Sequence, residues 1–307
     1  MLKDSLFYAK ILLFGEYGII NDSMGLSIPY NSYKGKLSMD NAVTATTQKS
    51  NENLKGFLTY LKKEKKLASL LNIGQLSEDI ENGLSFDSSI PQGYGVGSSG
   101  AVVAAIYDRY GISKIKAEDK NRIIALKEIF SDMETYFHGK SSGLDPLICY
   151  LNLPVLIKSK SDMDTVGLPQ EDAEGKGAIF LISSGQPGET QPMVNIFMEK
   201  MKEKGFRKML KDEFVKYNDA CIQSFLKRDI SPLFDNMKKL SKLLLDNFSP
   251  MIPRVFHKLW KEGIESNAYY LKLCGSGGGG YYLGFTQDIE QAKKKLSKYD
   301  LEVVFSF

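Results

Sequence analysis

The chain has 307 residues, 43% of them hydrophobic and 25% charged, with 40 basic and 37 acidic side chains and a net charge of +3. That length and composition predict a globular protein of two domains, and the mild charge excludes a nucleic-acid or membrane-surface partner as an expectation. Three cysteines without a C-x-x-C pair and only two histidines, His138 and His257, argue against a disulfide scaffold and a cysteine- or histidine-rich metal site, and predict reduced thiols in a cytoplasmic protein.

Residues 6–14 form a short apolar, aromatic-rich run that predicts a strand. Lys10 and Glu16 interrupt its apolar character, so it reads neither as a membrane span nor as a secretion signal. Residues 26–28 and 35–39 read as two further short strands, separated by Pro29 and Asn31. Helical spacing covers 53–71, and 84–90 is strand-like and leads into the glycine-rich segment 91–100. Helices follow at 101–110, 117–137 and 144–150, then a strand at 154–158. The polar stretch 159–177 is a linker candidate. Beyond it lie a strand at 178–183, several helices between 192 and 264, a strand pair at 268–274 and 280–285, a helix at 288–299 and a strand at 301–305. Without the extra helices this is β-α-β-β-α-β, the split unit of ferredoxin-like domains.

The segment PQGYGVGSSG at 91–100 has a chemical reading. Glycines let backbone amides approach a ligand closely, and the helix that follows offers unpaired N–H groups and a positive dipole end. Together these favour a bound phosphate, which the Ser98 and Ser99 hydroxyls could also reach. Gly95, Gly97 and Gly100 fit G-x-G-x-x-G, but they do not follow a first strand as a dinucleotide fingerprint should. Gly275, Gly277 and Gly280 fit the same spacing, and no Walker A loop is present. Either loop alone could be a tight turn; two in one chain favour a phosphate site.

Lys10 lies inside an apolar strand. It either faces water or is held toward an acid or a phosphate, because a lone buried ammonium is costly. Glu134 and His138 are four residues apart and share a helix face; Asp145 follows a Gly/Ser loop and precedes Pro146. Mg²⁺ takes one or two carboxylates plus substrate phosphates, and phosphoryl transfer uses a second carboxylate for the attacking hydroxyl. Glu134 and Asp145 could divide those roles, or be a solvated helix residue and a helix N-terminal acid.

Taken in order, AKILLFGEYGII, PQGYGVGSSGA, ETYFHGKSSGLDP and KLCGSGGGG resemble the motifs of the GHMP kinases, and within them the mevalonate kinases. The resemblance implies an α+β two-domain GHMP kinase fold. An N-terminal α/β domain like ribosomal protein S5 domain 2, residues 1–172, would bind ATP and Mg²⁺, and residues 173–307 would form a C-terminal ferredoxin-like domain. It implies that Asp145 takes or orients the proton of the substrate hydroxyl, and that Lys10 helps activate the hydroxyl and hold the phosphoryl group. Ser99 and Glu134 would bind Mg²⁺, and Gly95, Gly97, Ser98, Ser99 and Gly100 would cradle the ATP phosphates. Glu16, Tyr17 and Thr190 would lie on the acceptor side, with Gly275, Gly277 and Gly278 shaping the other wall.

Tyr17 stands where mevalonate kinases have a histidine that helps hold the acceptor. Val96 and Gly100 replace Leu and Ala, and Ser141, Pro146 and Gln191 replace Pro, Asn and a basic residue. The implied activity is ATP- and Mg²⁺-dependent phosphorylation of a small alcohol: mevalonate to 5-phosphomevalonate, in isoprenoid precursor biosynthesis. The alternatives are a phosphomevalonate kinase, for which Lys34, Lys36 and Lys140 are candidate anion contacts, a galactokinase-like sugar kinase, and a non-catalytic nucleotide-binding protein. A decarboxylase relative is disfavoured by the retained Lys10, and a nicotinamide-dependent dehydrogenase would rest on G-x-G-x-x-G alone. No nucleic acid or membrane partner is expected, and the oligomeric state is open, a homodimer being one option.

Overall fold

The computed structural model describes residues 5–21, 23–39, 44–116, 119, 122–159 and 161–307. The chain forms two compact units. One comprises Met1–Lys10, Pro29–Pro91 and Gly97–Leu153; the other comprises Ile11–Ile28, Gln92–Val96 and Pro154–Phe307. Strands β1 (Phe7–Phe14) and β2 (Gly25–Ser38) pair with each other and contribute residues to both. β2 is one strand where the sequence predicts two. Pro29 falls between two ladders: Gly25, Leu26 and Ser27 pair with β4 (Val155–Ser159), and Gly35–Ser38 pairs with β3 (Ser85–Ser88). The missing N–H of Pro29 therefore interrupts neither ladder.

The first unit is mainly helical. α1 (Ala45–Lys63) starts eight residues before the predicted helix, because Thr44 and Thr47 form a reciprocal capping box. The chain breaks at Glu64, so the predicted single helix is completed by a separate α2 (Lys65–Leu70). α3 (Ile73–Glu81) is capped by the Asn72 side chain, and the sequence reading passes over it. α4 (Ser98–Tyr110) buries Ala101, Ala104 and Ala105, small side chains that let α5 (Ile123–His138) and α6 (Leu144–Leu151) pack closely against it. Positions 117, 118, 120 and 121 of the predicted 117–137 helix lie outside the described residues.

Asp79 of α3 is buried against α4. It accepts hydrogen bonds from Arg109 at 2.7 Å, the Tyr110 hydroxyl at 2.7 Å and Gln75 at 2.9 Å. Burial pushes its carboxyl upward, but the bonds from Tyr110, Arg109 and Gln75 outweigh that and hold it below the ordinary aspartate value. A depressed carboxyl stabilises the fold above its unfolded pKa of about 3.9 and loses that contribution as pH falls through the folded value. Asp79→Asn is expected to cost about 1–3 kcal/mol at pH 7, with the gap to wild type narrowing below pH of about 4. Urea melts at both pH values measure it; a gap that stays constant with pH would refute the assignment.

In the second unit β4 pairs with β5 (Asp162–Thr165), so the predicted 159–177 linker contains a strand. Its alternation is hidden because Met163 alone points inward while Lys158 reaches Asp164 at 2.7 Å on the outer face. A four-stranded sheet is built from β6 (Ala178–Ser183), β7 (Tyr270–Leu273), β8 (Tyr281–Thr286) and β9 (Leu301–Ser306). Its order is β7-β8-β6-β9 and its pairs are antiparallel, which is the ferredoxin-like arrangement read from the sequence. Between β6 and β7 run α7 (Thr190–Lys200), α8 (Lys204–Met209), a π-helical turn at Leu210–Phe214, α9 (Val215–Lys227), α10 (Ile230–Asn247) and α11 (Arg254–Ser266). α12 (Ile289–Lys295) links β8 to β9. Phe180, Phe197, Phe225, Phe248 and Trp260 are fully buried in this unit, and the Trp260 indole N–H is satisfied by Ser241. Among the described residues no helix is long and apolar enough to cross a membrane.

Candidate active site

In the first unit two helix N-termini meet. α4 begins after Gly97, at φ 85°, and α6 begins after Gly143, at φ 73°; both values suit glycine. Gly100, in the first turn of α4, lies against the backbone of Asp145: a Cβ there would sit 2.7 Å from the Asp145 carbonyl carbon. A Cβ on Gly97 would sit 2.8 Å from Cγ of Lys10. The two glycines thus let the start of α4 approach Lys10 and Asp145 together. Lys10 Nζ is 2.9 Å from Asp145 Oδ1; the lysine side chain is 3% exposed and the aspartate 39%. One end of the pair is buried and the other open, so the carboxylate can meet a ligand while the ammonium is held.

A second carboxylate stands beside them. Glu134 is buried on α5, and its Oε1 accepts a hydrogen bond from Ser99 Oγ at 2.9 Å. Ser99 Oγ is also 2.9 Å from His138 Nε2. Which of that pair donates is set by the histidine tautomer. Burial, opposed by Asp145 and helped by Lys10, lowers the histidine pKa. Burial and then the Asp145 charge raise Glu134 to about 7, against the Ser141 and Ser99 hydroxyls and Lys10. Ser141 donates to Glu134 Oε2 at 2.5 Å and accepts the Gly143 N–H at 3.0 Å. The N-cap of α6 is thereby tied to the α5 carboxylate. Cys149, one turn after Asp145, donates to the Gly97 carbonyl at 3.7 Å, and burial pushes its thiol up. Ser98 opens α4 half-buried; Lys34 and Lys140 are exposed and Lys36 is half-buried.

The remaining site candidates lie in the second unit. Gly95, at φ 78°, sits so close to the Cys274 carbonyl that a Cβ would overlap it, and a Cβ on Gly275 would meet Gly95 Cα at 3.1 Å. The two glycine loops therefore touch through backbone. Gly277 lies under the Met251 carbonyl and Gly278 against the Met193 side chain. Glu16 is paired with Lys272, which also donates to the Leu273 carbonyl at 2.8 Å. The Tyr17 hydroxyl donates to the Ser276 carbonyl at 2.7 Å, and its ring stacks on Phe197 at 4.5 Å. Burial first and then Glu16 raise the Tyr17 phenol, so it stays a donor. Thr190 opens α7, with Oγ1 3.5 Å from Ser276 Oγ. His257 Nε2 sits 2.8 Å from the Ile252 carbonyl, near the start of α11.

Residues 54–152 match the GHMP kinases N terminal domain. Over the whole chain the fold is similar to L. major mevalonate kinase in complex with R-mevalonate, at 15% identity and a TM-score of 0.67, covering 100% of this chain and 97% of that one. Residues 54–152 are thus similar to a GHMP kinase N-terminal domain, and the chain as a whole has a GHMP kinase fold. It is also similar to Streptococcus pneumoniae phosphomevalonate kinase in complex with phosphomevalonate and AMPPNP, at 12% identity, a TM-score of 0.64 and coverage of 99% and 100%. Lactococcus lactis galactokinase complexed with galactose gives 10% identity, a TM-score of 0.65 and coverage of 99% and 94%. A comparison with curated protein sequences found no match.

Two residues of the GHMP-like motifs gain a structural part that sequence reasoning missed. Ser141, noted only as a replacement for proline, holds Glu134. Lys272, in the third motif, is the buried partner of Glu16. Its signal was the same as that of Lys10: a lysine inside an apolar run.

Proposed function

We propose that the chain is an ATP- and Mg²⁺-dependent kinase that phosphorylates the hydroxyl of a small alcohol, with mevalonate as the acceptor. The observation that carries this reading is the Lys10–Asp145 pair at 2.9 Å, held between the N-termini of α4 and α6. Asp145 accepts the proton of the attacking hydroxyl at its carboxylate. Lys10 orients that carboxylate and stabilises negative charge on the phosphoryl oxygens. The free N–H groups of the first turn of α4, with Ser98, favour the nucleotide phosphates. Gly95, Gly97 and Gly100 supply close backbone approach.

Ser99 and Glu134 fit the demands of Mg²⁺. A hard cation takes oxygen donors, few of them from protein, and a buried carboxylate raised to about 7 is one whose ionised form a cation would favour. Among the described residues no three His, Cys, Asp or Glu side chains gather into a self-sufficient metal site, so the remaining ligands would be phosphate oxygens and water. Bound there, Mg²⁺ would neutralise charge on the phosphates. Glu134→Gln and Ser99→Ala are each expected to raise the Mg²⁺ concentration at half-maximal activity by about 10-fold or more. A wild-type Mg²⁺ titration in both variants would remove them from this role.

The test of the function is Mg²⁺-dependent ADP release from ATP with mevalonate, phosphomevalonate, galactose or homoserine as acceptor. Turnover with mevalonate supports the proposed acceptor. Turnover with phosphomevalonate or galactose keeps the kinase and replaces the acceptor. Tight Mg-ATP binding without turnover of any of the four would favour a non-catalytic nucleotide-binding protein.

A further inference from the structure

The buried lysine that the proposed chemistry leaves unused is Lys272, 2% exposed on β7. It meets Glu16 just past the end of β1, while the next residue, Tyr17, reaches the Ser276 carbonyl at 2.7 Å. Two adjacent residues on one segment thus grip the strand end and the loop that follows it. That loop needs gripping. Gly275, Gly277, Gly278 and Gly280 have φ of 80°, 82°, 78° and 71°, and a run of glycines loses more conformational freedom on ordering than any other sequence. Among the described residues, its amides are held at points that include Gly278 N–H on the Met251 carbonyl at 2.7 Å and Gly280 N–H on the Gln186 carbonyl at 2.8 Å.

We propose that Tyr17 and the Glu16–Lys272 pair are positioning residues: they pin the 275–280 glycine loop to the end of β1, and so set acceptor affinity through the shape of the loop. This rests on the kinase reading above for its effect on the acceptor, though not for the pin. It gives the replacement of the family histidine by tyrosine a physical meaning. The Tyr17 hydroxyl is committed to a backbone carbonyl and its ring to the face of Phe197, so position 17 serves the loop.

The experiment compares full-length wild type with Tyr17→Phe, which deletes one hydroxyl and keeps the stacked ring. Amide hydrogen exchange across 275–280 is expected to quicken by about 2- to 10-fold, the worth of one hydrogen bond. The acceptor KM should rise by a similar factor, with the ATP KM within about twofold and the melting temperature nearly unchanged. A rise in acceptor KM with unaltered exchange would make Tyr17 a direct acceptor ligand and overturn the proposal; so would unaltered exchange and unaltered KM. Lys272→Met combined with Glu16→Leu removes both buried charges together and leaves neither uncompensated. It should loosen the same amides, and exchange as slow as wild type would remove the pair from the pin. If wild type turns over no acceptor, the kinase reading falls, and exchange at 275–280 in Tyr17→Phe alone decides the pin.

Discussion

Asp145→Asn is expected to lower turnover by at least about 10³-fold while leaving Mg-ATP affinity within about twofold. The asparagine keeps the size of the side chain and an oxygen that can face Lys10 Nζ, now 2.9 Å from Asp145 Oδ1. What it loses is the ability to accept the hydroxyl proton in the proposed mechanism. Two further effects of the lost charge can be separated from that loss. The buried Lys10 ammonium loses its anionic partner, which tends to destabilise the fold. Glu134 loses the neighbouring charge that helps to raise it, and so ionises more easily. The first is read as a melting temperature and the second as a shift in the pH dependence of Mg²⁺ binding, neither of which mimics a loss of turnover at saturating metal. Turnover near wild type in a folded variant would take Asp145 out of the chemistry and leave the Lys10 pair as a structural ion pair. Lys10→Met removes the charge that lowers Glu134 and should instead raise the Glu134 pKa further, together with a loss of turnover.

The parts of the site that were legible in the sequence are those in which one residue type has few uses. Glycines at 95, 97 and 100 ahead of an apolar helix left little but a tight backbone and a helix N-terminus, and the structure places Gly97 and Gly100 against Lys10 and Asp145. Glu134 and His138 were readable as one helix face; that Ser99 lies between them, 2.9 Å from each, was not, because it depends on how α4 packs against α5. Lys10 could not be placed by alternation, since β1 is buried on both faces for most of its length. The ferredoxin-like sheet was legible because its strands are apolar and separated by clear turns. β5 was not, because a four-residue edge strand with one inward Met looks like a loop. α1 was misread at its start because the residues that fix it, Thr44 and Thr47, precede the apolar spacing rather than belong to it. β2 was split because a proline inside a strand is a good reason to end one, and only the pairing partners reveal that it falls between two ladders.

Gly143→Ala should be among the most damaging single-methyl changes in the chain. The residue caps α6 at φ 73°, where an alanine is strained by about 1–2 kcal/mol. Its added Cβ would overlap the Lys127 carbonyl oxygen and lie 2.6 Å from the Ser131 nitrogen, both in the backbone of α5. A helix backbone cannot move aside as a side-chain tip can, so crowding adds to the strain, for a total of about 3–5 kcal/mol. At about 2–4 °C per kcal/mol for a chain of this size class, the melting temperature should fall by roughly 6–20 °C. Gly83→Ala is the control: its φ is 93° but nothing lies within 4 Å of the new methyl, so it should show the strain alone. The difference between the two variants then measures how rigidly α5 and α6 are held together. Because the Gly143 N–H donates to Ser141, which donates in turn to Glu134, forcing the helices apart should also disturb the carboxylate proposed to hold Mg²⁺. The surviving folded fraction of Gly143→Ala is therefore expected to need more Mg²⁺ than wild type, whereas Gly83→Ala is not. Equal costs for the two alanines, with equal Mg²⁺ titrations, would mean that the α5–α6 contact yields easily and that Glu134 is not set by it.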